Sequence, residues 1–361
     1  MKNWLKKHRR IRFTLLCLAL AAGLSGCATT QYYWQALSGQ VALLSRQERI
    51  ERVLERTDIS PALREKLLET LDLRQFAEKE LRLPVDGQYR NYADVRRRFV
   101  VWNVHAAPAF SLEARTWWYP WVGRLKYRGY FREDAARRLA AEIAARGDDV
   151  YVGGVEAYST LGWFRDPILN TFIHHDSADL AEILFHELAH QQLFISGDTD
   201  FNEAFAVSVA QEGTRRWLRA RKTAADIDRY DEDLRKERAF IHVVLNARAQ
   251  LNALYRSGAG SEPARLRSRK EALIEEMRQA HEALRTGWGG VSPYDAWFSK
   301  PVNNARLNTV ATYQDLVPGF EKLLAACGGD LPKFYAAVKQ LGIRSQAERR
   351  LALERAPKPE K

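Results

Sequence analysis

Apolar and polar positions divide the chain into helical ends around a short β-rich middle. From residue 31 to 83 the apolar residues recur at helical spacing. In "YYWQALSGQVALLSRQERIERVLE" they fall at Leu37, Val41, Leu44, Ile50, Val53 and Leu54, a spacing that predicts helix. "DISPALREKLLETLDLRQFAEKEL" continues it, with Ser60 as a cap and Pro61 in a first turn. After the turn at Leu83–Gly87 the texture changes. Residues 98–110, 116–131 and 149–164 are β-branched and aromatic and read as strand regions, with a helix over 132–147 between the last two. Two helices follow, the second from about Asn202 to Lys222. Residues 223–286 then form a long charged helical hairpin turned at "GAGSEP", and a last helical stretch closes the chain. The pattern predicts an α+β fold, mostly helical, with a small mixed β-sheet. The expected organisation is a leader over 1–26, a helical region over 27–92, a catalytic region over 93–320 carrying the hairpin, and a C-terminal helix and tail over 321–361.

The leader changes the reading of charge. Lys2, Lys6, Lys7, Arg9, Arg10 and Arg12 precede an apolar run, Phe13 to Leu24, that is short for a membrane span. Leu24-Ser25-Gly26-Cys27 resembles the lipobox of bacterial lipoproteins. That resemblance implies cleavage before Cys27, lipidation of its sulfur, and, with Ala28 next, an outer-membrane location facing the periplasm. Removing the leader takes six positive charges from the formal +11 and leaves +5, too little to argue for nucleic acid. Of three cysteines, Cys17 would leave and Cys27 would carry lipid, so Cys327 has no intrachain partner. The expectation is a globular body on a lipid tether.

The chemistry concentrates in "EILFHELAHQQLF". His186 and His190 lie four apart, on one face of a helix, so their rings can converge on one ion. Glu187 is adjacent and can serve the water on that ion as general base. A catalytic zinc takes three protein ligands and keeps one position open. Two core or surface histidines on an ordinary helix are the alternative. The context favours the site: Asp176 or Ser177 can cap the helix, and Leu180, Leu184 and Leu188 form a separate apolar row with Ile183 beside it.

Asp198, Asp200, Glu203 and Glu212 are candidates for the third ligand. With Gly197 as the helix stop, His190 falls about one turn from the end of its helix. The polar loop "SGDTD" reverses the chain, and Glu203 falls about one turn into the next helix. Antiparallel packing brings those two levels together. Glu212 lies about 13 Å further along, beyond the level of His186, and Asp198 and Asp200 can cap. Glu203 is the best fit.

Two histidines and a glutamate on a following helix resemble the gluzincin pattern. The chain more specifically resembles the bacterial family of predicted aminopeptidases, through "VVWNVHAAP", "YRGYF", "AYSTLGWFRDPILNT", "LFHELAHQQLF", "FNEAFA" and "NNARLNTVATYQDLVPGF". The resemblance implies a zincin-like catalytic region, Zn2+ as cofactor and peptide or protein substrates. Gly153-Gly154-Val155-Glu156-Ala157 is similar to the element that binds the substrate amine in alanyl-aminopeptidase-like enzymes, which would make Glu156 a selector of free N-termini. An exposed strand carboxylate is the simpler account of Glu156. Tyr158 and Tyr313 are candidates to donate to the oxyanion, though core packing explains either tyrosine equally simply. An endopeptidase of the envelope, and a scaffold or chaperone that keeps zinc for structure, are the alternatives to an aminopeptidase.

Overall fold

Capping residues fix where the principal helices begin. The computed structural model describes residues 28–119, 122–157, 164–258 and 262–355. Its N-terminal part holds α1 (Ala28–Leu44), β1 (Gln47–Arg49), α2 (Ile50–Glu55) and α3 (Pro61–Lys79). The Ser60 hydroxyl accepts from the Leu63 amide at 3.1 Å, and Pro61 occupies the first turn of α3. The helical region expected over 31–83 is interrupted at residues 47–49, which pair antiparallel with a strand at Asn91–Ala93, β2. Leu37 and Val41 do not face the core; they are 59% and 56% exposed.

The middle is strand-rich, as the texture predicts, but more divided. β3 (Val101–Pro108), β4 (Trp117–Tyr119), β5 (Gly123–Leu125) and β6 (Arg128–Tyr130) precede α4 (Glu133–Ala144), β7 (Asp148–Val155) and β8 (Ile168–Leu169). The second expected strand is thus three short ones. Gly123 enters β5 at φ +86°, a conformation that favours glycine. A central three-stranded sheet runs in the order β6-β3-β7, antiparallel throughout, with Val101 opposite Val155 and Pro108 opposite Asp148. α4 covers one face through Ala136 and Ile143, which pack on Val104, Ala106 and Tyr130. β7 is an edge strand, and the chain passes from it straight into Glu156.

The rest is helical: α5 (Ser177–Gln192), α6 (Thr199–Arg221), α7 (Ala224–Ser257), α8 (Pro263–Gly287), α9 (Asp295–Phe298), α10 (Asn304–Gln314), α11 (Val317–Ala326), α12 (Leu331–Gly342) and α13 (Gln346–Glu354). The fold is α+β and mostly helical, as predicted. The main core gathers Leu43, Leu67 and Phe76 with Leu180, Leu184 and Leu188 of α5, Phe201 and Phe205 of α6, and Phe320, Phe334 and Leu353 near the end. α5 and α6 pack closely; a Cβ on Gly213 of α6 would come within 2.7 Å of Leu81 and 3.0 Å of Phe185.

The hairpin α7–α8 is tied down at both ends of its length. Tyr230 and Leu234 of α7 belong to the main core. Further out, Phe240, Val244 and Leu251 join Met277 of α8, Phe298 and Leu307 in a second core. The Lys270 ammonium of α8 donates to the Ala109 carbonyl at 2.9 Å and pairs with Asp149 at the head of β7. No described helix is long and apolar enough to cross a membrane.

Candidate metal centre

The Asp176 carboxylate starts α5, accepting from the Ala178 and Asp179 amides at 3.0 and 2.9 Å. Leu180, Leu184 and Leu188 are fully buried, which fixes the rotation of α5 and leaves the Glu182–His186–His190 column on another face. α5 ends at Gln192, not at the Gly197 turn, and Leu193 is already extended. The reversal that follows is held by Asn202, whose side chain accepts from the Ile195 amide and donates to the Ile195 carbonyl, both at 2.8 Å. It also rests on the β4–β5 hairpin, where the Ser196 hydroxyl and the Gly197 amide donate to the Val122 carbonyl. A Cβ on Gly123 would strike Gly197 at 2.8 Å.

This clamped loop sets the register of α6 against α5. His186, His190 and Glu203 come together, with one potential ligand atom from each lying within 4.8 Å of the others. The Nε2 atoms of His186 and His190 are 3.2 and 3.6 Å from the same oxygen of Glu203. Burial would raise the Glu203 carboxyl, but the charges and hydrogen bonds of the two imidazoles outweigh it and hold the group at about 2. Two imidazoles and one ionised carboxylate, converging at this spacing, could hold a metal ion.

The other candidates for the third ligand are engaged elsewhere. Glu212 accepts from Arg216 at 2.8 Å and pairs with Arg215 at 3.5 Å. Asp200 pairs with Lys126 at 2.6 Å. Asp198 caps α6 at the Phe201 amide and is gripped by Arg349 of α13 at 2.8 Å, both side chains being less than a tenth exposed.

Around the triad, burial pushes the Glu187 carboxyl up despite the neighbouring imidazoles. The Tyr313 ring stacks on His186 with centroids 6.2 Å apart. The charge of Glu203, then burial, then Tyr127 and Glu187 carry its phenol far above the ordinary value. Two tyrosines near this centre escaped sequence reasoning. Tyr127 follows the Lys126–Asp200 contact and raises the Tyr313 phenol. Tyr89 is buried at φ +55°, a backbone state rare for a residue with a side chain. Burial and the Glu187 charge both raise its phenol. Tyr158 and Cys27 lie outside the described residues.

One turn before His186, a cavity of about 660 Å³ opens between α5 and α7. Glu156, Asp179 and Glu182 face Asp233 and Glu237 across it. Its cations are already paired: Lys66 and Lys222 with Glu69, and Arg229 with Asp226. Glu156 also binds His175, Oε2 to Nε2, at 2.7 Å. Glu182 accepts from the Tyr230 hydroxyl at 2.7 Å, and Glu237 from Gln211 and Gln314. Burial, then the Glu237 charge, pushes the Glu182 carboxyl up to about 8. The folded protein therefore binds this proton more tightly than the unfolded chain. The resulting stability is full below about 4.5 and is lost as pH rises through about 8. Glu182→Gln keeps the acceptor for Tyr230 and removes the charge. Thermal unfolding should show it more stable than the parent at pH 9 by about 1–2 kcal/mol and no more stable at pH 4.

Asn303 and Asn304 are structural. Asn303 caps α10 at the Arg306 amide and donates to the Val150 carbonyl on β7, while the Asn304 amide group donates to the carbonyls of Pro108, Ala109 and Ser111. They dock α10, and Tyr313 with it, against the sheet.

The family model described as "Putative aminopeptidase" matches residues 31–353. The chain belongs to this putative aminopeptidase family. The match runs from α1 to α13. No curated protein and no solved structure matches the chain.

Proposed function

We propose that the protein is a zinc-dependent aminopeptidase. The observation that carries this reading is the convergence of His186, His190 and Glu203 beside Glu187, in a chain of the aminopeptidase family. The donor set fits zinc: two imidazole nitrogens and one carboxylate oxygen, with room in a tetrahedral shell for a fourth ligand. When bound, zinc would supply Lewis acidity toward the scissile carbonyl and make water more acidic. Glu187 takes the proton from the attacking water and returns it to the leaving amine, a task suited to a carboxyl whose affinity for protons burial has increased. Tyr313 keeps its proton and donates a hydrogen bond to the oxygen that becomes negative as the carbonyl is attacked.

The acidic cavity supports an exopeptidase over an endopeptidase. A free α-ammonium group would meet carboxylates one helical turn from the triad, with Glu156 at the cavity wall after the edge strand β7. We further propose that Cys27 carries lipid and anchors the body at the outer membrane, facing the periplasm, on the strength of the basic leader, the apolar run and Leu24–Cys27. The test of the activity uses zinc-analysed protein and matched peptides with free and acetylated N-termini. Stepwise release from free peptides alone is expected. Internal cleavage of the acetylated peptides would make it an endopeptidase. Absence of both stoichiometric zinc and cleavage would end the peptidase reading.

A further inference from the structure

α1 contains no charged residue in its 17 positions. One face is fixed to the body. Tyr32 lies edge-on to Tyr130, under the Arg128 guanidinium at 3.9 Å. Gln35 accepts from the Phe131 amide at 3.0 Å. Gly39 lets α1 approach so closely that a Cβ there would come 2.2 Å from the Phe131 ring. Leu43 and Gln40 are buried below.

The opposite face is apolar and open. Tyr33, Trp34, Leu37 and Val41 are 42%, 70%, 59% and 56% exposed. At 3.6 residues per turn they fall within an arc of roughly 100°, and Tyr32, Gln35, Gly39 and Leu43 lie on the other side of the helix. A helix that met only water on this face would gain from charged residues there, and it has none.

What covers the face follows from where the chain comes from. α1 begins at Ala28, the residue after Cys27, with the basic and apolar leader immediately before it. On the lipoprotein reading of the leader, Cys27 carries lipid and α1 starts at the membrane surface. We infer that the Tyr33–Trp34–Leu37–Val41 face of α1 lies in the interface of a lipid bilayer, among the headgroups and the first acyl carbons. Tyrosine and tryptophan favour that depth because each has an apolar ring and a polar group. Attraction here depends on apolar area and not on charge, so it is insensitive to salt and to anionic lipid. Since the far side of α1 is clamped to β6 and Phe131, the contact holds the body in one orientation. The inference rests on the leader reading and not on the peptidase reading.

The full-length protein, in phosphatidylethanolamine–phosphatidylglycerol vesicles, is irradiated with a photoreactive carbene precursor dissolved in the acyl phase. Labelled residues are then read by mass spectrometry. Labelling of Tyr33, Trp34, Leu37 and Val41 should exceed by at least about tenfold that of Val291 and Ile343, apolar residues 73% and 80% exposed on other parts of the fold. It should persist at high salt, and Trp34→Gln with Leu37→Gln should reduce it at Tyr33 and Val41. Equal labelling of all six residues, or no labelling of the α1 face, overturns the inference. So does protection of that face accompanied by cross-links between α1 helices of two copies, which would make it a dimer contact.

Discussion

On the proposed mechanism, Glu187→Gln is expected to lower kcat by about 10²- to 10⁴-fold, the usual contribution of a general base, while fold and metal content stay those of the parent. The amide has nearly the shape of the carboxylate and cannot accept the proton. Glu187 is not among the three groups that converge, so zinc content by mass spectrometry should match that of the parent. KM should change little, because the acidic cavity is untouched. A variant that loses zinc along with activity would place Glu187 among the ligands. A variant that retains full activity would remove Glu187 from the chemistry.

The second large effect is expected far from the triad in sequence. Arg349→Leu strips the only charged partner among the described residues from Asp198, whose side chain is 5% exposed and keeps only the neutral donors of Gln346 and Phe201. Leaving a buried charge uncompensated costs about 3–5 kcal/mol, measurable by denaturant unfolding. Asp198 also starts α6, and Glu203 stands one turn further on, so zinc affinity should fall together with stability. Combining Arg349→Leu with Asp198→Asn removes the stranded charge and retains a capping oxygen. The double variant should regain part of the loss. A single variant within about 0.5 kcal/mol of the parent would mean that Asp198 reaches water when released.

The parts of this site legible in the sequence are those set by local spacing. Four residues along one helix brought His186 and His190 together, and a short return loop selected Glu203 over Glu212. The structure does bring Glu203 to the two histidines, although the assumed helix stop was wrong: α5 ends at Gln192, and Asn202 fixes the reversal. Contacts between distant segments left no such trace. Nothing in the spacing of Glu182 and Glu237 announces that α5 and α7 place them across one cavity. Tyr89 lies just past the Leu83–Gly87 turn, where the pattern predicts no element, and its backbone conformation is visible only in three dimensions. The run over 31–54 failed in another way. Periodicity found apolar positions at helical spacing, but it does not say what covers a face, and Leu37 and Val41 are exposed. β1 and β2, three residues each, are too short to alternate detectably.

Asp198 and Arg349 are separated by 151 residues, and that interval has a meaning in time. A polypeptide delivered from its N-terminus has α5 and α6 at hand well before the guanidinium that secures their junction. Until it arrives, Asp198 lacks its charged partner, although Asn202 and the Val122 carbonyl already hold the loop. Pairing across so long a stretch comes late, because chain entropy must be given up before the contact is made. The centre thus depends on the C-terminal helices as well as on the motif: the carboxylate that starts α6 is secured by a residue 151 positions further along the chain.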